Sequence, residues 1–282
     1  MLSSKPRGFV QRELTLLIVG VMLSLFAANG FAQETDAAPP TPSHFSWSAH
    51  AELDANYIWR GLYVGGPSLQ AEADVEYYGF FLNSWWNIGT TNWQFGKRDA
   101  AGNPLTGFNP EVDMTIGYRY KGLTIMFMHM YYFDRYTDGS RSRYFDFGNY
   151  APGGGGITTE WRIKYRISDK VPLHILWCTR TFGRDGYLVS GELKRAYSTY
   201  IEVGYNHTFK YDISLGGALG LTPWKSMYTG FDKDFAIVNV TLSLSKAWKM
   251  TDHCAIDVGG VVMFNPSSLE PMANIHAGVT FN

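Results

Sequence analysis

Between residues 44 and 282 the chain keeps returning to a period of two. In "HFSWSAHAELDANYIWRG" (44–61), Phe45, Trp47, Ala49, Ala51, Leu53, Ala55, Tyr57 and Trp59 share one parity. Ser46, Ser48, His50, Glu52, Asp54, Asn56 and Arg60 share the other, broken only by Ile58. Successive side chains of a strand point to opposite faces, so this stretch reads as one ribbon with an apolar and a polar face. The alternation recurs in "LQAEADVEY" (69–77), "FFLNSWWNI" (80–88), "EVDMTIGYRY" (111–120) and "ITTEWRIKYRI" (157–167). Weaker strand patterns follow at 123–133, 173–182, 199–209, 213–222, 235–246, 255–264 and 274–282, the first of them apolar on both faces. No segment carries a sustained 3.6-residue stripe. About twelve strands result, each near the ~9–11 residues that cross a bilayer at a tilt of about 45°.

The breaks between strands alternate in length. Short ones fall near 78–79, 121–122, 168–172, 209–212 and 247–253. Long ones fall near 89–110, 134–156, 183–196 and 223–234. That is the rhythm of an up-and-down barrel whose two rims face different compartments. Composition separates this reading from a soluble β-sandwich. Charged residues are 17% of the chain and aromatic ones 16%, against about 25% charged in soluble domains. The rings cluster by strand end. Tyr77, Phe80, Tyr118, Tyr120, Tyr165, Tyr205, Trp248 and Phe281 lie at the short-turn ends and form an expected aromatic girdle, since amphipathic rings favour the headgroup level. Trp59, Trp86, Trp161 and Trp177 lie toward the other ends and are expected at the outer girdle. The fold expected is therefore all-β, a closed up-and-down antiparallel transmembrane β-barrel of about twelve strands over 44–282.

The segment before it reads as an export signal. Lys5, Arg7 and Arg12 precede the apolar "TLLIVGVMLSLFAANGFA", which ends in small residues at Gly30-Phe31-Ala32. This layout predicts a secretory signal peptide over 1–32, and "QETDAAPPTPS" (33–43) reads as a disordered linker. The two cysteines, Cys178 and Cys254, fall in different strands and are expected as isolated thiols. A net charge of -1 gives no basis for nucleic-acid binding.

The chain resembles a Gram-negative outer-membrane β-barrel protein. Its last strand, "NIHAGVTFN", is similar to the C-terminal signal that such proteins present to the barrel-assembly machinery: Ile275, Ala277 and Val279 alternate and an aromatic residue, Phe281, closes the strand. Here Asn282 follows the aromatic, which is usually terminal. "NYIWRG" (56–61) is similar to the first strand of a poorly characterised group of small barrels with a Y-x-W-R-G motif. The resemblance implies a location in the outer membrane, contact with its lipids, and insertion by the assembly machinery.

With the apolar parity on lipid, the polar parity lines the lumen. The expected acidic lumen residues are Glu52, Asp54, Glu72, Asp74, Glu111 and Asp113. The expected basic ones are Arg119, Arg162, Lys164, Arg166 and Arg180. Most acids fall on early strands and most bases on the sixth and seventh, so a closed barrel of twelve sets an acidic wall against a basic one. Two outcomes stay open: an aqueous pore with a transverse field, or charges that pair and fill the lumen. The leading expectation is a narrow passive channel for small hydrophilic solutes, with no cofactor. A second reading is a non-transporting barrel that binds a surface partner or polysaccharide through aromatic loops at 92–95, 141–150 and 223–228. A third is a lipid-modifying enzyme. It is disfavoured because there is no G-x-S-x-G and no H-E-x-x-H. His129, whose parity turns it outward in mid-strand, has no serine in reach along its strand. No metal-ligand spacing is visible.

Overall fold

Alternation fixes which face of each strand is apolar; the turns fix which strands pair. The computed structural model describes residues 44–89, 109–133, 142–151, 155–168 and 170–282. The expected signal peptide and linker (1–43), the aromatic stretch 92–95 and most of the loop at 89–110 lie outside them. In chain order the strands are β1 (Phe45–Asp54), β2 (Tyr57–Trp59), β3 (Leu62–Gly65), β4 (Ser68–Tyr77), β5 (Phe80–Gly89), β6 (Asn109–Tyr120), β7 (Leu123–Tyr132), β8 (Ile157–Arg166), β9 (Leu173–Gly183), β10 (Gly186–Val189), β11 (Glu192–Arg195), β12 (Thr199–Phe209), β13 (Ile213–Thr222), β14 (Ala236–Thr251), β15 (Cys254–Asn265) and β16 (Glu270–Phe281). Twelve of them close one antiparallel barrel in the order β1-β4-β5-β6-β7-β8-β9-β12-β13-β14-β15-β16, with β16 returning to β1.

Tight turns set the register at one rim. Tyr78 and Gly79 both take positive φ (50° and 84°), the pairing that a two-residue hairpin with right-handed strand twist requires. A Cβ at Gly79 would also collide with the Arg119 carbonyl. The resulting ladder runs from Tyr77 opposite Phe80 to Ser68 opposite Gly89. Lys121, with φ 53°, opens the two-residue turn between β6 and β7, in which Gly122 does not take a positive φ.

The two faces of the wall have opposite polarity. Outward residues are apolar and exposed, as at Leu242 (54%) and Ile275 (67%). Buried inward positions are largely polar: Gln70, Asn83, Thr115, Glu160, Arg180, Asn239 and Asn274. Water would not stabilise so wide an apolar exterior, whereas a hydrocarbon layer does. A strand of ten residues rising ~3.3 Å each at a tilt of ~45° spans about 23 Å, close to the ~25 Å apolar band of such barrels. Among the described residues no helix is long and apolar enough to cross a membrane, so the strands are what any crossing would use. Tyr77, Tyr118, Tyr120, Tyr165 and Trp248 are exposed at the short-turn rim, and Tyr205 and Phe281 are half-buried there. Trp86, Trp161 and Trp177 also face outward, farther along their strands.

Three expectations need correction. The stretch 44–60 is not one strand. β1 stops at Asp54, and 57–65 forms the separate hairpin β2–β3, so Tyr57 and Trp59 leave the lipid-facing parity and Trp59 is no part of an outer girdle. The apparent loop at 183–196 contains a second hairpin, β10–β11. β14 runs on through Thr251, taking most of the expected turn at 247–253. Both cysteines are free.

The polarity of the wall predicts that Leu242→Arg, at mid-wall, destabilises the barrel in a bilayer by about 2–4 kcal/mol, while Met250→Arg near the rim costs about 0–1 kcal/mol. Reversible urea unfolding in lipid vesicles measures both.

Candidate functional site

The hairpin β2–β3 turns the lumen from a tube into a site. Its base is tied to the last strand: Ala55 N–H donates to Ile275 O (2.9 Å) and Asn56 N–H to Asn274 Oδ1 (2.9 Å). Its tip is the pair Arg60-Gly61, with φ 48° and 81°, again the geometry of a two-residue turn. Gly61 lies against the far wall. Its N–H donates to Met263 Sδ (3.0 Å), its carbonyl accepts from Asn265 Nδ2 (2.9 Å), and a Cβ would strike the Val238 carbonyl. The hairpin therefore leaves the wall after β1 and crosses the interior.

Arg60 anchors it. The guanidinium meets Glu160 of β8 with two parallel bonds, Nη1 to Oε2 at 2.9 Å and Nη2 to Oε1 at 3.1 Å. Arg162 Nε donates to the same carboxylate at 2.5 Å. Arg60 also donates to the Tyr228 hydroxyl and to Cys178 Sγ, both at 2.9 Å, and lies over the Trp59 ring (4.5 Å) and the Tyr200 ring (4.9 Å). Glu160 is fully buried. Two guanidiniums supply the charge compensation that such burial demands. Tyr228 sits in the β13–β14 connection, where burial raises its phenol to about 12 although Arg60 pulls the other way, so the hydroxyl stays neutral beside the cation. Tyr228 joins Cys178, Tyr200, Ala236 and Val238 in a buried apolar cluster, with Trp59, Leu62, Leu176 and Met227 packed on it. At the level of the hairpin tip the β9–β14 side of the interior is thus filled. The expected aromatic loop 223–228 belongs to this packing: Met227 N–H donates to Ser198 Oγ, and Trp224 Nε1 to Tyr197 O.

Three cavities stand out among the described residues. A cavity of about 540 Å³ opens among the acids of β1, β4 and β6, where Glu52, Asp54, Glu72, Asp74 and Asp113 line it together with Arg119 and Arg162. A second, of about 670 Å³, carries Lys164, Arg166, His174, Asn206 and Ser243. A third, of about 90 Å³, lies beside the hairpin among Tyr57, Trp59, Glu111, Asp113, Tyr132, Arg162, Arg180 and Arg184. The first and third share Tyr57, Trp59, Asp113 and Arg162. The two cavities therefore adjoin at a common boundary, made by a carboxylate on β6, a guanidinium on β8 and two rings from the hairpin. Tyr57 holds its place by donating to Glu111 Oε2 (3.3 Å). In this region Asp113 Oδ1 and Arg180 Nε are buried without a hydrogen-bond partner.

All eleven residues expected in the lumen thus line interior cavities. They divide unevenly. Arg119 sits within the acidic wall, paired with Asp74 (3.4 Å) and Glu76. Arg162 is tied to Glu160, and Lys164 and Arg166 stand apart at the other large cavity. Glu52 and Asp54 do not meet the arginines of β8. They meet histidines: His50 Nε2 lies 3.4 Å from Glu52 Oε2, and Asp54 stands opposite His276 in the ladder.

Sequence reasoning missed Arg60, Tyr57 and Trp59 as interior groups, and Tyr200 and Tyr228 as their partners. A signal for the hairpin was present. The alternation fails at Ile58, and Arg60-Gly61 follows within three residues, a turn dipeptide at the end of an apparent strand. Of the aromatic stretch 141–150, residues 142–150 lie within the described residues. It lies on the outside of the wall: Tyr144 stacks on His129 (4.5 Å) and Phe147 meets it edge-on (5.8 Å). His129 faces outward, and no serine or carboxylate among the described residues hydrogen-bonds its ring.

No family model matches the chain, and no curated protein matches it. Solved structures of similar shape include the KdgM porin in complex with disordered oligogalacturonate (10% identity, TM-score 0.41, covering 84% of this chain and 98% of that one). An outer-membrane channel from Pseudomonas putida F1 has 10% identity and a TM-score of 0.46, covering 89% of this chain and 99% of that one. The Salmonella typhi outer-membrane phospholipase dimer with bound calcium has 8% identity and a TM-score of 0.38, covering 89% and 94%. At TM-scores below 0.5 none of these likenesses bears on what the chain does.

The anchor makes a clear prediction. Glu160→Gln leaves Arg60 and Arg162 without their counter-charge, a change that costs about 3–5 kcal/mol in buried pairs. Chemical unfolding of the refolded protein reads that loss. Gly61→Ala strains the tip and collides with the Val238 carbonyl, so the hairpin should unseat while the barrel persists, and limited proteolysis should cut between residues 55 and 67 in the variant only.

Proposed function

We propose that the chain is an outer-membrane barrel that acts as a narrow passive channel for small hydrophilic solutes, with the β2–β3 hairpin as its constriction. The observation that carries this reading is the boundary between two cavities, which in this reading is the neck of the channel. Two cavities of different size share Tyr57, Trp59, Asp113 and Arg162, and unpartnered atoms of Asp113 and Arg180 sit in the same region. Buried polar atoms without partners are costly unless water or a solute supplies the missing bond. The space beside the hairpin holds a few water molecules. Such a neck passes small solutes and excludes large ones.

Charge placement favours solutes that carry separated charges. Asp113 and Glu111 come from β6; Arg162 and Arg180 come from β8 and β9. Acids and guanidiniums on neighbouring strands, with only β7 between β6 and β8, set up a local field along a narrow, low-dielectric passage, which orients dipolar solutes and slows apolar ones of equal size. The acidic cavity on the short-turn side would enrich cations before the neck, while the arginines at the neck admit the anionic end of a zwitterion. No energy source or cofactor is required by this arrangement.

A second reading is a closed barrel. The Arg60–Glu160 anchor and the apolar cluster behind it favour a hairpin that does not move, and the exterior aromatic patch at Tyr144, Phe145 and Phe147 would then be the part that meets a partner. Planar-bilayer recording of the refolded protein separates the two. The channel reading expects small, resolved conductance steps in the wild type. Asp113→Asn should shift the reversal potential toward anions and Arg180→Gln toward cations. Deleting residues 56–65 should enlarge the steps several-fold. Silence in the wild type with steps only after the deletion would establish the closed barrel instead, and silence in both would remove the channel altogether.

A further inference from the structure

The geometry points to a divalent transition-metal site inside the barrel, held by Glu52 and Asp54 of β1 and His276 of β16, which clasps the seam where the first and last strands meet. Glu52 and Asp54 are two apart on one strand and so share the inward face. Asp54 pairs directly with His276 across the ladder. One ligand atom from each of the three lies within 4.8 Å of the others. Ligands on a common ion at ~2.1 Å stand about 3.4 Å apart in a tetrahedral set, so small side-chain rotations bring the three together.

Three further observations point to a cation rather than to a solvated acidic face. Asp54 is 7% exposed; its Oδ1 accepts from Asn274 Nδ2 at 2.5 Å, and its Oδ2 is buried with no partner at all. Among the described residues no lysine or arginine is ion-paired with Glu52, Asp54 or Asp257, so the local negative charge is compensated only by imidazoles. The rings are also given room. A Cβ at Gly259 would collide with His276, and one at Gly278 with His50. Asp257 stands 3.6 Å from His276 Nε2, the kind of outer carboxylate that orients a metal-bound histidine.

Two carboxylates and one imidazole leave open positions for water and suit Zn²⁺ or a similar first-row ion better than Ca²⁺ or Mg²⁺, which take oxygen ligands. The position explains what the ion would do. The β1–β16 ladder, from Ala49 opposite Phe281 to Asp54 opposite His276, is the shortest of the twelve in the barrel. A bond from both strands to one ion reinforces the weakest seam.

The test is titration of the refolded full chain in detergent micelles with Co²⁺, whose visible absorption reports coordination, followed by displacement with Zn²⁺. Saturable one-to-one binding is expected in the wild type and in His129→Gln, whose histidine faces outward. Asp54→Asn and His276→Gln should weaken binding by about tenfold or more. The temperature at which the barrel loses its folded mobility on gels should rise with Zn²⁺ in the wild type and return with chelator. Glu52→Gln, at a less buried position, is the variant of choice if Asp54→Asn does not fold, and it too should weaken binding. Absence of saturable binding by the wild type overturns the site. So does undiminished binding in the folded ligand variants, which would assign the cation to surface histidines. Because the readout needs no conductance, its failure leaves the channel reading intact, and the reverse holds.

Discussion

The carboxylate of Glu160 is the point on which the interior depends. It is fully buried on β8 and takes the guanidiniums of Arg60 and Arg162 together. A single buried charge of this kind would be intolerable, and a single buried pair is often no better than an apolar contact. The fork of Arg60 adds direction to charge. Two parallel bonds fix the guanidinium plane, which fixes the tip of the hairpin, and Trp59 and Tyr200 close over its faces. Everything downstream follows: the packing at the hairpin tip between β9 and β14, the small cavity left beside β6 and β8, and the boundary where Tyr57 and Trp59 meet Asp113 and Arg162.

The wall makes that arrangement affordable in a polar interior. With apolar groups outside and polar ones inside, the barrel reverses the usual distribution, so hydrophobic burial against lipid stabilises the cylinder and leaves the lumen free to hold charge. Lumen charges are then sorted by strand. Acids dominate β1, β4 and β6, with Arg119 folded among them; Lys164 and Arg166 line the other large cavity with His174. Opposite charges meet both beside the hairpin and nearer the short-turn rim, where Arg119 pairs with Asp74 and Glu76.

Most of the cylinder was legible in the sequence, because a period of two is a property of neighbouring residues and needs no long-range information. Twelve strands, the Tyr78-Gly79 turn and the lumen parity of Glu72, Asp74, Glu111, Asp113 and Lys164 all came from local pattern. The hairpin did not. "ANYIWRG" continues the alternation of β1 almost unbroken, and what diverts it is a carboxylate a hundred residues away in sequence. Nor could local pattern pair Asp54 with His276 or bring Tyr228 onto Arg60, since those contacts exist only after the barrel closes. Trp59 illustrates the limit well: its parity says lipid, while its partner Arg60 carries it into the lumen.

The placement of the hairpin constrains the order in which the molecule can form. It follows the first strand, yet its tip rests on residues of β8, β9, β12, β14 and β15, and its base hangs from β16. Those elements run from the sixth wall strand to the twelfth and lie far from the hairpin in sequence, so the tip lacks its full set of contacts until nearly the whole wall exists, and contacts of such long range are slow to form. Seating of the hairpin and closure of the β1–β16 seam are therefore coupled late events. The passage acquires its final width at the moment the cylinder is sealed, and an unfinished barrel would be wider than the finished one.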